Sequence, residues 1–324
     1  MKKSLYLGAL ALLTLASCAS EETVEAPKGN AIDFGKAFIN NSTRAGENGV
    51  ELTDLTGFKV YGYMTDFSGV VFNGIDVTGS STTSWQYNPL AYWVADKNYA
   101  FAAIASKGNF SFAPAADETF PTAKADFGTI TYTTDGTDDL LYASAFQVGK
   151  ASGNLAVPFT FNHLLSRVKL TFTNGMQNTN GNIVISNVKI NGVYNSGSLA
   201  LGTANAAWSV VEDSKATRTP VMSNTENVAV NGTTYSTPLF FIPTPGYEYV
   251  IEFDVVMKYG ETEAVSSHKT AKVTIADMQR GYSYNLALTL TEENIPDSEL
   301  EPIEFTVTAV EDWQNWTDNN GMRF

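Results

Sequence analysis

The side chains that could transfer protons, attack carbon or hold a metal are sparse in this chain of 324 residues, which has one cysteine, Cys18, and two histidines, His163 and His268. Neither histidine stands in a Ser–His–Asp arrangement. His163 alternates with Phe159, Phe161 and Leu165 on an apolar face, the setting of a satisfied core histidine, while His268 in Ser266-Ser267-His268-Lys269 reads as an exposed loop or strand-edge residue. Acidic residues are plentiful, but the paired carboxylates of a glycosidase are assembled in space rather than by spacing, and no pair stands out. The run Asp135-Gly136-Thr137-Asp138-Asp139 lacks the ordered ligand spacing and terminal glutamate of a calcium loop and reads as a turn. The sequence therefore assigns no catalytic residue, no metal ligand and no cofactor.

The cysteine has a different chemistry open to it. Lys2 and Lys3 precede an apolar run from Leu5 to Leu15, too short to span a bilayer and in the layout of a signal peptide. Leu15-Ala16-Ser17-Cys18 follows at once and resembles the lipobox of bacterial lipoproteins. In that motif small residues fit the signal peptidase and the cysteine sulfur takes a diacylglyceryl group, so residues 1–17 would be removed and Cys18 would become the lipidated first residue. Glu21 and Glu22 resemble the export tag of Bacteroidetes lipoproteins bound for the outer face of the outer membrane. With Cys18 acylated no thiol remains for a disulfide or a zinc cage, and stability must come from burial and strand pairing.

The formal net charge is −14, and loss of Lys2 and Lys3 makes the mature chain more acidic still. Such a surface repels nucleic acid and anionic headgroups and leaves protein, polysaccharide or a lipid anchor as partners.

The composition, rich in Thr, Val, Tyr, Phe, Gly and Asn, is that of an all-β protein. Runs of period-two alternation recur at 58–64, 99–105, 130–133, 168–172, 183–190, 250–257, 271–275 and 282–290. Between them stand Asn73-Gly74, Asp135-Gly136, Asn174-Gly175, Asn191-Gly192 and Asn231-Gly232, read as turns because their glycines accept positive φ. Strands at this spacing predict β-sandwiches, and the length allows two. The small, polar stretch Gly149 to Asn154 marks the expected boundary. Residues 18–30 then form a lipidated linker, 31–153 an N-terminal sandwich and 154–324 a C-terminal one. Phe159, Phe161, His163 and Leu165 share one parity and Val168, Leu170 and Phe172 the other, which predicts a bulge near Ser166-Arg167.

The segment from Phe159 to Val168 resembles the Phe-x-His-x-Leu-(Ala/Ser)-(Lys/Arg)-(Val/Leu) signature that opens the C-terminal domain of Bacteroidetes fimbrillins, the subunits of type V pili. Asp139-Leu140-Leu141-Tyr142-Ala143, Trp93 with Tyr99-Ala100-Phe101-Ala102-Ala103, and Gly281-Tyr282-Ser283-Tyr284-Asn285-Leu286 agree with it, in order, over nearly the whole mature chain. The resemblance implies two transthyretin-like β-sandwiches in tandem, lipoprotein export, proteolytic removal of the first strand and polymerisation by a strand donated from a neighbour.

In this chain the removable strand would be Ile32 to Ile39, with Ile32, Phe34 and Phe38 on one face. The polar loop 40–49 follows it and holds Arg44, the only arginine before Arg167. On residues alone Arg44 is a solvated loop arginine; by the resemblance it is where a trypsin-like protease cuts the Arg44–Ala45 bond. The donor strand would be Ile303, Phe305, Val307 and Ala309, alternating with Glu304, Thr306 and Thr308 after a polar spacer. Trp313 and Trp316 follow and fit either a neighbour or their own C-terminal domain. The expected function is that of a structural pilus subunit with other pilin subunits as partners, carried first on the outer membrane and then in the fimbrium, and not an enzyme. The alternative is a tip adhesin or glycan-binding lipoprotein that stacks Trp85, Tyr87, Tyr92 or Trp93 on sugars of a host protein or glycan.

Overall fold

The computed structural model describes residues 30–39, 50–51, 55–64, 70–80, 84–114, 128–201, 206–224, 226–296 and 303–310. The strands of the first half are β1 (Phe34–Ile39), β2 (Val50–Glu51), β3 (Gly57–Met64), β4 (Val70–Thr78), β5 (Asn98–Ala105), β6 (Asn109–Pro114), β7 (Gly128–Thr133), β8 (Leu141–Val148) and β9 (Val157–His163). Next come β10 (Ser166–Asn174), β11 (Gly181–Tyr194), β12 (Ser196–Leu201), β13 (Ser209–Val210), β14 (Lys215–Arg218), β15 (Val228–Ala229) and β16 (Thr233–Tyr235). The last are β17 (Leu239–Phe241), β18 (Glu248–Tyr259), β19 (Thr262–Thr274), β20 (Ser283–Leu290) and β21 (Thr306–Val310). The fold is all-β, as the alternation predicts.

A seven-stranded sheet runs β2-β1-β9-β8-β5-β3-β4. Laid flat, β1 and β5 would lie about 14 Å apart, three inter-strand spacings. Yet the rings of Phe34 and Phe101 approach to 6.4 Å. The sheet therefore folds over at the short β8–β9 junction, where only Leu141–His163 and Tyr142–Asn162 pair, and encloses a core that includes Phe34, Phe58, Phe72, Phe101, Phe159 and Phe161. β5 is buried on both faces: Tyr99, Phe101 and Ala103 join this core, while Ala100, Ala102 and Ile104 face a second one. A strand with two apolar faces reads as a continuous hydrophobic run, as Tyr99 to Ala105 does.

The second core lies under the sheet β6-β7-β12-β13, which takes strands from both halves of the chain. β12 pairs antiparallel with β7 over six residues, from Ser196–Thr133 to Leu201–Gly128. Ile130 and Tyr132 thus share a core with Leu199, Leu201, Trp208, Phe240 and Ile242. The remaining strands form a sandwich, β16-β10-β20-β21 against β14-β11-β18-β19, closed over Leu170, Phe172, Ile185, Ile251, Phe253 and Leu286.

Two local expectations are corrected. The parity break after β9 is a change of sheet and not a bulge: Phe159 and Phe161 lie in the first core, Leu164 and Leu165 in the shared one, and Val168, Leu170 and Phe172 in the third. Sheet membership accordingly changes after His163, beyond the 153/154 boundary that the polar stretch suggested. That stretch is the β8–β9 connection inside one sheet, held where the Gly149 N–H donates to Lys97 O (2.8 Å) and the Lys150 N–H to Asn154 Oδ1 (2.8 Å). Asn73-Gly74 and Asn191-Gly192 are bulges inside β4 and β11, with Gly74 at φ +69° and Gly192 at φ +82°. The same freedom of φ that makes a turn also accommodates an extra residue in a strand.

Candidate assembly site

The first strand lies in the middle of a core. Ile32 and Phe34 are 1 % and 4 % exposed. The Phe34 ring stacks on Phe159 (centroids 5.6 Å apart) and is ringed by Phe58 (5.9 Å), Phe72 (5.8 Å), Tyr87 (5.4 Å) and Phe101. Backbone bonds hold the segment on both sides. On one, the Ile32 N–H donates to Ala91 O (2.8 Å), the Trp93 N–H to Asn30 O (3.0 Å) and the Tyr87 hydroxyl to Ile32 O (2.7 Å). On the other, the Val157 N–H donates to Asp33 O (2.7 Å), and β1 runs parallel to β9.

The register refines the expected Ile32, Phe34 and Phe38 face. Phe34 is opposite Val157, but a shift before Ala37 places Ala37 and Ile39 opposite Phe159 and Phe161 and puts Phe38 opposite Thr160. In β9, Val157, Phe159 and Phe161 are buried and Thr160 is exposed.

The C-terminal strand occupies a weaker place. β21 pairs antiparallel with β20 alone, from Thr306–Ala287 to Val310–Ser283, with Ala309 opposite Tyr284, at the edge of its sheet. Ile303, Phe305 and Val307 are half-buried against the C-terminal core, with the Phe305 ring 5.8 Å from Phe172 and 6.4 Å from Phe253, while Glu304, Thr306 and Thr308 are exposed. Cys18, Arg44, Ala45, Trp313 and Trp316 lie outside the described residues.

The polar candidates are structural. His163 Nδ1 lies 2.6 Å from Asp139 Oδ2, joining the two motifs at the β8–β9 junction. Ser106 donates to the backbone oxygen of Asp139 (2.6 Å), and the Asp139 carboxylate accepts the Leu140 N–H (2.7 Å). His268 pairs across strands with Asp254 (2.6 Å), as an exposed strand residue should. The bond from Asn187 and the partnership with His268 hold the Asp254 carboxyl below its usual range. Among the described residues no three of His, Cys, Asp and Glu gather as a metal-ligand set. Asp135 accepts from the backbone and hydroxyl of Thr137 at 2.9 and 2.6 Å, which makes the acidic run a closed turn. Of the four aromatics considered for sugar stacking, Trp85 and Trp93 are core residues and Tyr87 is bonded to Ile32; Tyr92 is exposed.

Sequence reasoning passed over Arg218. It is 8 % exposed, and Nη2 donates to Thr134 O (2.9 Å) and to the Asn195 side chain, beneath the 135–139 turn. Trp208 likewise ties its indole N–H to Leu164 O (3.0 Å). The alternation of Gly197, Leu199 and Leu201 was the signal that could have found this hairpin, but nothing local says which sheet it joins.

This architecture matches known proteins. Over 86 % of its length the chain superimposes on 99 % of a fimbrial protein from Bacteroides vulgatus, with a TM-score of 0.55 at 16 % identity, a likeness of fold. The fimbrial anchor protein from Porphyromonas gingivalis matches over 87 % of this chain and 97 % of its own, with a TM-score of 0.40 at 13 % identity. No curated protein sequence matches. The fimbrillin-like family profile matches residues 43–313, most of the chain, and its members are fimbrial structural proteins rather than enzymes. This protein belongs to the fimbrillin-like family.

Proposed function

We propose that the chain is a structural subunit of a cell-surface pilus, carried to the outer membrane as a lipoprotein acylated at Cys18, cut after Arg44 and polymerised by strand donation. One observation supports it above the others: the segment between the anchor and Arg44 supplies Ile32 and Phe34 to an aromatic groove that its loss would open. Each such side chain is worth about 1.5–3 kcal/mol when fully buried, so the open groove needs a replacement. The C-terminal strand has the alternation to replace it and sits meanwhile at a sheet edge, paired on one side. On this reading the working parts are the signal (1–17), the lipidated linker (18–30), the half that loses its first strand and the half that ends in the donor. A trypsin-like protease and other pilin subunits are its partners. A donor segment suits a polymerising subunit better than a terminal adhesin.

Deleting residues 303–324 is expected to leave the protein folded and exported while abolishing filament growth. Filaments seen by electron microscopy should begin at Ala45 on N-terminal sequencing and be lost in Arg44→Ala. Long filaments from the deleted protein would refute strand donation.

A further inference from the structure

We infer that the end of the first half that bears Asn30 rests on the lipid surface while the chain is anchored, seating Leu90, Tyr92, Val94, Val148 and Leu155 among the headgroups. The inference rests on the acylation of Cys18 and adds to it a second contact, which sets how the anchored subunit is oriented.

The patch is built on Asn30. Its Oδ1 accepts from Asn154 Nδ2 (2.9 Å), its side-chain amide donates to Trp93 O (3.0 Å) and its carbonyl accepts the Trp93 N–H (3.0 Å). The β4–β5 and β8–β9 connections are thereby tied to one residue. They are also tied to each other, since the Gly149 N–H donates to Lys97 O (2.8 Å) and the Asp96 N–H to Gly149 O (2.9 Å). A Cβ built on Gly149 would stand 2.1 Å from Val94 O, an approach that only glycine permits. The exposed apolar side chains adjoin these bonded residues: Val94 follows Trp93, Leu155 follows Asn154 and Val148 precedes Gly149. Leu90 and Tyr92 flank Ala91, whose carbonyl accepts the Ile32 N–H. These are five of the nine large hydrophobic side chains exposed among the described residues, and Leu155, at 77 %, is the most exposed of them. Clustering of this kind marks a contact surface, which singly scattered side chains do not.

Position and charge say what covers it. Asn30 stands twelve residues beyond Cys18, so the anchor holds it within about 43 Å of the bilayer even with that stretch fully extended. The loops bonded to Asn30 are the part of the described structure nearest the lipid along the chain. The whole chain carries −14, a charge that anionic headgroups repel. On these connections, however, Lys97 and Lys150 stand against Asp96 and, on the incoming segment, Asp33. A locally balanced apolar surface can approach headgroups that the rest of the molecule avoids. Tyr92 adds an apolar ring with a polar tip, the chemistry that suits the boundary between water and acyl chains. The acyl chains already hold the protein, so the patch contributes orientation. Cleavage at Arg44 would remove Asn30 together with the anchor and unfasten both loops, which makes docking on lipid a property of the uncleaved chain.

Fluorescence of the acylated chain in vesicles of phosphatidylethanolamine and phosphatidylglycerol tests this. With Cys18 acylated, an introduced cysteine is the only free thiol. An NBD label on Leu155→Cys is expected to shift to the blue on reconstitution. Nitroxide-bearing lipid should quench it several-fold more strongly than the same label on Val221→Cys, a similarly exposed hydrophobic position between β14 and β15. Seating to a depth of about 5–10 Å brings a label within reach of such lipid. The label on Val94→Cys should be quenched as well, and should lose that quenching on Val148→Glu with Leu155→Glu while the chain still floats with the vesicles. Quenching that survives the two glutamates would show that the apolar side chains are not the contact. Equal quenching at Leu155 and Val221, or none at either, in a chain that floats would overturn the docking and leave the lipid anchor standing. A blue shift that grows with protein density, without quenching by lipid, would assign the patch to a second copy instead. Failure to float for want of an acyl group on Cys18, read by mass spectrometry, would remove the underlying reading.

Discussion

Arg218 joins groups remote in sequence, since Thr134 and Asn195 precede it by 84 and 23 residues. Burial lowers its pKa, with Asp135 acting the other way, so the guanidinium is tolerated for the acceptors it satisfies. Arg218→Met would keep much of the volume while leaving Thr134 O and the Asn195 side chain without that donor. The expected cost is about 1–3 kcal/mol in equilibrium denaturation, the usual penalty for stranding buried polar groups. Unchanged stability would mean that water replaces the guanidinium without loss. Such a residue was illegible beforehand because its role depends on which distant carbonyls the topology delivers. Asp139 and His163 were half legible: both stood in recognisable motifs, but their meeting follows only from β8 and β9 closing on each other.

At the level of elements, alternation was a reliable guide wherever one face is buried, and the runs read at 58–64, 183–190 and 250–257 are β3, β11 and β18. It could not tell turn from bulge at Asn73-Gly74 and Asn191-Gly192, which demand the same backbone freedom. Nor could it assign β12 to a sheet, because pairing with β7 is settled by packing between distant segments. The hairpin 196–210 offers a clean test, since the Asn195 N–H donates to Ser214 O (3.0 Å) and the Val211 N–H to Ser196 O (2.9 Å), closing its stem on β11 and β14. Replacing residues 197–210 by a two-residue Asn-Gly turn should leave amide exchange in β18 and β20 slow and accelerate it in β5 and β7. Equal acceleration in both halves, or in neither, would contradict a hairpin whose sheet pairing is with the first half.

For the whole molecule, the all-β expectation is met, and a tandem of two sandwiches is consistent with halves that share one sheet and one core. The core that holds Phe34 and the shared core lie on opposite faces of β5. The shared sheet also sets an order in time. A chain is made from its N-terminus, and β7 at Gly128–Thr133 cannot pair with β12 until residues 196–201 of 324 have appeared. A fragment ending at residue 165 should therefore expose Ile130 and Tyr132 and bind an apolar dye, whereas the full chain should not. The first core can close once β9 has been made, but Ile130 and Tyr132 stay uncovered until β12 and Trp208 have been synthesised, so over that interval the nascent chain carries one finished core and one open apolar face.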